Sequence, residues 1–136
     1  MSRILSIDYG GKRTGLAVTD PMQIIATGLQ TIESKELISW LKNYLAKEEV
    51  ELINIGLPKN WDESDTHGTP LVEAAIKKIR KEFPAMPLKT VDERYSSKMA
   101  KDAMLEMGMK KKDRRVKGNV DVIAATIILQ EYLGQL

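Results

Sequence analysis

Hydrophobic and polar positions follow two rhythms along the chain, and these switch in a definite order. Ile4, Leu5 and Ile7 form a short apolar run that predicts a buried strand over 3–8, with Asp8 at its carboxyl end. A turn bearing Gly10, Gly11 and Gly15 follows. Leu16, Ala17, Val18 and Thr19 then read as a hairpin partner, closed by Asp20 and Pro21. A third strand over 27–32 completes an antiparallel meander. Next, Leu37, Ile38, Leu41 and Leu45 recur at helical spacing behind Ser34, which predicts a helix capped by that serine. Leu52, Ile53 and Ile55, running into Gly56, Leu57 and Pro58, suit a central parallel strand. Thr69 is expected to cap a second helix, with Pro70 at its first position and a stripe of Val72, Ala75, Ile76, Ile79 and Phe83.

A fifth strand is predicted over 87–92, running into Asp92, Glu93 and Arg94. A third helix from Ser96 carries Met99, Ala100, Ala103, Met104 and Met107 on one face and stops at Gly108. Asn119 is expected to cap a last helix bearing Val120, Ile123, Ala124, Ile127 and Ile128. A meander followed by alternating helices and strands predicts an α/β fold. Its sheet is mixed and five-stranded, with three antiparallel and two parallel strands flanked by helices. No repeat or linker divides the chain, so one domain over 1–136 is expected.

Composition narrows the chemistry. There is no cysteine and one histidine, His67, so thiolate and His-rich metal sites are excluded. Any metal must be held by oxygen, which points to Mg²⁺, Mn²⁺ or Ca²⁺. The absence of cysteine suits a reducing cytoplasm. No run approaches the roughly 18 apolar residues of a membrane span, and Asp8 comes too early for a signal peptide's apolar region. The net charge of +2 is mild, but Lys110, Lys111, Lys112, Arg114, Arg115 and Lys117 crowd into one loop. Such a loop is either solvated surface or a phosphate contact. Trp40 is expected to be partly buried in its helix, and Met99, Met104 and Met107 to pack a core. Trp61 is read as a loop anchor and His67 as a solvated loop residue.

Three acids fall at element ends: Asp8 after the first strand, Glu93 after the fifth, Asp121 at the start of the last helix. In open α/β sheets ligands collect at the carboxyl ends of the parallel strands. Carboxylates gathered there repel one another unless a divalent cation joins them, and such an ion can activate water at a phosphodiester. Each acid also has a structural explanation. Asp8 is a turn former, Glu93 an ion-pair partner of Arg94 or Arg13, and Asp121 a helix-dipole residue. Asp20, Asp62, Asp65 and Asp92 are assigned structural roles only. The turn from Asp8 to Gly15 combines glycines that admit a phosphate with the charges of Lys12 and Arg13. Sugar kinases and actin-like ATPases carry similar hairpins, but they need two lobes and this chain has length for one.

Four blocks in order bring these residues together. They are Ile7-Asp8-Tyr9-Gly10-Gly11-Lys12-Arg13-Thr14-Gly15-Leu16-Ala17; Ile55-Gly56-Leu57-Pro58 with Asn60; Asp92-Glu93-Arg94-Tyr95-Ser96-Ser97; and Lys117-Gly118-Asn119-Val120-Asp121, continuing through Ala124-Ala125 to Ile127-Ile128-Leu129. The set resembles the YqgF family, Holliday-junction-resolvase-like proteins and nucleases that mature the precursor of 16S ribosomal RNA. The resemblance implies a ribonuclease-H-like three-layer fold and hydrolysis of phosphodiester bonds with Mg²⁺ or Mn²⁺. It assigns Asp8, Glu93 and Asp121 as catalytic and metal-holding. Lys12, Arg13 and Arg94 match basic positions that orient phosphates, Ser96 falls where the family has a hydroxyl residue and joins them as a nucleic-acid contact, and the basic loop gains the same sense. Two departures stand out. Position 11 is Gly where Thr or Ser is commoner, and the acidic segment 61–68 is longer than the usual turn after Asn60.

The expected activity is therefore a cytoplasmic endonuclease on structured RNA, on its own or within ribosomal precursor particles. Two alternatives keep the fold: a resolvase of branched DNA, and a non-catalytic nucleic-acid- or ribosome-binding module. A monomer or weak homodimer is expected, without membrane attachment.

Overall fold

The structure is a computed structural model that describes residues 2–58, 68–93 and 117–134, with the backbone course alone at 58, 92, 93 and 117–120. Strands β1 (Arg3–Tyr9), β2 (Arg13–Thr19) and β3 (Ala26–Glu33) form the meander. A 3₁₀ turn (Ser34–Glu36) leads into helix α1 (Leu37–Lys47). Then come β4 (Val50–Pro58), α2 (Thr69–Glu82), β5 (Leu88–Glu93) and α3 (Lys117–Tyr132). The strands lie in the order β3-β2-β1-β4-β5, with β1, β4 and β5 mutually parallel. This is the expected mixed sheet.

Two-residue alternation sorts the strands onto two faces. Leu5, Ile7, Leu16, Val18, Ile53 and Ile55 face α1 and α2 and form one core with Leu37, Leu41, Val72, Ile76 and Ile79. Each fully buried aliphatic side chain there contributes about 1.5–3 kcal/mol. Trp40 stacks on Tyr44 at that core's edge, ring centroids 4.7 Å apart, partly buried as expected. Ile4, Ala17 and Leu52 face the other way, against Ala125 and Leu129 of α3. At the middle of β2 the residues on this second face are small, Gly15 and Ala17, which lets α3 lie close to the strand. Ala124, Ile127 and Ile128 of α3 are buried as well, so the helix is covered on more than one side.

Three expected caps are corrected. Ser34 does not cap α1: it is buried in the 3₁₀ turn, and Glu36 holds the cap position without a side-chain bond. Thr69 is the first residue of α2, behind Gly68, although Pro70 does sit in the first turn. Helix α3 starts at Lys117, so Asn119 lies inside its first turn. The helix expected over 96–108, with Met99, Met104 and Met107, lies outside the described residues, as do Trp61 and His67.

Candidate functional site

Because β1, β4 and β5 run parallel, their carboxyl ends share one rim of the sheet. Asp8 lies near the end of β1, and its residue pairs with Gly15 across the β1–β2 ladder. By alternation Asp8 shares the α3 face with Ile4 and Ser6. Gly15 is also where α3 lands: an ideal Cβ at position 15 would fall 2.0 Å from the carbonyl oxygen of Asp121 and 2.9 Å from the nitrogen of Val122. One glycine thus touches the backbones of both Asp8 and Asp121. No side chain fits between strand and helix, and the start of α3 is drawn onto the end of β1.

Arg13 completes this corner. It opens β2, two residues from Gly15 and on the same face, and its Nε donates to Asp121 Oδ2 at 2.9 Å. The ion pair joins residues 108 positions apart and is half-open to solvent. Arg13, one of the two partners expected for Glu93, is thus engaged by Asp121. Lys12, at the tip of the turn, is exposed.

The third acid, Glu93, ends β5 in parallel register with Pro58. With ladder spacings of about 4.8 Å, β5 lies roughly 10 Å from β1 across β4. Its backbone therefore reaches the expected rim, two strands from Asp8, while its side chain lies outside the described residues. Among the described residues no three acids stand close enough to hold an ion. The two whose side chains are described, Asp8 and Asp121, offer the hard oxygen donors that Mg²⁺ or Mn²⁺ takes, and they converge on one glycine. That donor set fits such an ion. Arg94, Ser96, Lys110, Lys111, Lys112, Arg114 and Arg115 lie outside the described residues; Lys117 opens α3, its side chain likewise outside.

Two residues not singled out from the sequence as site residues hold the turn between Asp8 and Arg13. Ser34 Oγ donates to the Gly10 carbonyl at 2.5 Å, and Thr14 Oγ1 lies 2.8 Å from Ser34 Oγ. The serine has one hydroxyl proton, already given to Gly10, so Thr14 is the donor in the second bond. The Ser34 backbone nitrogen adds a bond to the Lys12 carbonyl at 2.9 Å. These contacts span 20 to 24 residues, and nothing local in the sequence signals them. Position 11 is less constrained. Among the described residues a Cβ there would meet only Leu71 Cδ1 at 3.6 Å, so the glycine in place of the commoner Thr or Ser changes no contact to Asp8 or Asp121.

Residues 2–135 match the family model described as "RuvX: Holliday junction resolvase". A protein of Bacteroides thetaiotaomicron is 50% identical over 133 residues, covering 98% of this chain and 96% of its own length. One of Bacteroides fragilis is 51% identical with the same coverage. Both bear the name "Putative pre-16S rRNA nuclease". Among solved structures, Thermus thermophilus RuvC in complex with a Holliday junction substrate superposes with a TM-score of 0.59 over 99% of this chain and 98% of that one. At 14% identity this likeness concerns the fold, which is the ribonuclease-H-like fold expected from the sequence.

Proposed function

This chain belongs to the RuvX (YqgF) family, and we propose that it is a metal-dependent endonuclease that hydrolyses phosphodiester bonds in structured RNA, maturing the precursor of 16S ribosomal RNA. The observation that carries the proposal is the convergence of Asp8 and Asp121 on Gly15 at the carboxyl rim, where β5 also ends at Glu93. The names of the half-identical relatives favour RNA as substrate.

Asp8, Glu93 and Asp121 would hold Mg²⁺ or Mn²⁺. The bound ion supplies a water activated for attack and charge for the leaving oxygen. Lys12, on the exposed turn, steadies a phosphate beside Asp8. Arg13 waits at the same corner, and Arg94, Ser96, Lys110, Lys111, Lys112, Arg114, Arg115 and Lys117 supply further backbone contacts. Contacts of this kind make affinity salt-sensitive and indifferent to sequence. The substrate places the protein in the cytoplasm, on precursor RNA or precursor ribosomal particles, as a monomer or weak homodimer. No described helix is long and apolar enough to cross a membrane.

Digestion of precursor ribosomal RNA in Mn²⁺ or Mg²⁺, beside a four-way DNA junction, tests this directly. Wild type should cut the RNA and Asp8→Asn should not, with an unchanged melting temperature. Equal cutting by the variant sinks the proposal. The family description favours a second substrate, branched DNA. Resolution of a junction requires two symmetric nicks and hence a dimer, so junction cleavage by a dimeric protein without RNA cleavage would establish that alternative.

A further inference from the structure

We propose that Arg13 is the built-in counter-cation of Asp121, released when a divalent ion binds, so that metal loading and phosphate binding are coupled through one guanidinium. The inference rests on the metal-dependent reading above and adds a role for this arginine that the acids alone do not require. Arg13 is the first residue of β2, and the bonds of Ser34 and Thr14 to Gly10 hold the turn that precedes it. Strand alternation sends its side chain to the α3 face, beside Gly15. There Asp121 is its sole side-chain partner among the described residues, at 2.9 Å.

The contact uses one guanidinium nitrogen, Nε, and one carboxylate oxygen, Oδ2. A bidentate fork would be the stronger arrangement and the one expected of a permanent anchor. Among the described residues the Nη groups have no acceptor, and the arginine side chain is 41% exposed against 21% for Asp121. The acid is therefore held by its seat in the fold, while the arginine is the partner free to leave. Without metal, Arg13 offsets the charge that Asp121 brings to the corner. A dication bound by Asp121 makes that offset redundant and repels the guanidinium. The freed fork, planar and matched to phosphate oxygens, then faces the rim where nucleic acid lies.

The test uses binding readouts on the full-length protein, with no cleavage measured. By isothermal titration, Arg13→Gln should bind Mn²⁺ about two- to fivefold more tightly than wild type, the size of an exposed ion pair converted to affinity. Arg13→Lys should fall between them. Unchanged or weaker Mn²⁺ binding by Arg13→Gln overturns the proposal and makes the arginine an anchor of Asp121.

The second arm is a double-mutant cycle on a fluorescein-labelled RNA oligonucleotide in EDTA, read by anisotropy. Asp121→Asn should raise RNA affinity more when Arg13 is present than in the Arg13→Gln background, because only then is a guanidinium released. Additive effects overturn the proposal. A wild-type protein that takes up no Mn²⁺ defeats the metal-dependent reading of the rim; the cycle in EDTA still decides the fate of Arg13 by itself.

Discussion

Gly15 and Asp121 are in backbone contact: an ideal Cβ on Gly15 would lie 2.0 Å from the Asp121 carbonyl oxygen and 2.3 Å from its carbon. Atoms do not approach so closely, and the obstacle is main chain in a helix, which cannot rotate away. Gly15→Ala must therefore lift α3 off β2 or bend the strand, at a cost of about 1–3 kcal/mol. Because Asp8 pairs with residue 15, the same displacement separates Asp8 from Asp121. The expected outcome is a lower urea midpoint together with loss of Mn²⁺-dependent cleavage. An alanine variant of full activity would show that the corner is not the catalytic one.

The turn that carries Lys12 is fixed from outside by Ser34. Ser34→Ala removes the bond to Gly10 and leaves the buried Thr14 hydroxyl without its acceptor. A buried group orphaned in this way costs about 1–3 kcal/mol. Cleavage should fall as the turn loosens, while α1, which Ser34 does not cap, keeps its circular dichroism signal. Thr14→Val should reproduce part of the stability loss. A variant with wild-type stability and activity would mean that the hairpin holds its own shape.

What could be recognised in advance follows the range of the signal. Strand periods, the α2 stripe and the placement of Asp8 and Glu93 at strand ends depend on neighbours in sequence, and they agree with the fold. Gly15 was expected in a phosphate turn and instead seats a helix, because its partner at Asp121 lies more than a hundred residues away. Ser34 shares the local pattern of a helix cap, yet its hydroxyl goes to Gly10 and Thr14, a choice made by the closing of the hairpin. The Arg13–Asp121 pair was equally hidden. Several cations could have met each acid, and only the strand order β3-β2-β1-β4-β5 selects one.

Asp20 sits at the opposite end of the sheet and titrates on its own. Its carboxylate accepts from the backbone nitrogens of Ile25 at 2.7 Å, Ile24 at 2.8 Å and Met22 at 3.2 Å. The bond from Ile25 does most to lower its pKa below the usual carboxylate value; desolvation opposes it, and the bonds from Ile24 and Met22 add to the lowering. A depressed folded-state pKa stabilises above the unfolded value, and that contribution is lost as pH falls through the folded one. Urea midpoints measured from about pH 5 to pH 2 should therefore drop more steeply for wild type than for Asp20→Asn. Parallel profiles would contradict the assignment. Activity at neutral pH should be the same in both, since the turn is remote from the acidic rim.

Ser6 and Asn54 face one another across the β1–β4 ladder, both fully buried, and among the described residues neither side chain has a hydrogen-bond partner. They lie on the α3 face, just inside the rim that Asp8 marks. A buried polar atom without a partner costs about 1–3 kcal/mol, whereas an apolar group of similar shape costs nothing of the kind. Asn54→Val should therefore raise the free energy of unfolding by an amount in that range, and Ser6→Ala by less, since it removes one orphaned atom where Asn54 contributes two. Chemical denaturation of the two variants and their combination checks this. A loss of stability in Asn54→Val has a definite meaning as well: the pair then shares a trapped water, which needs two or more polar neighbours to stay. In that case Ser6→Ala must also destabilise, and the two losses must be non-additive, because both side chains hold the same molecule.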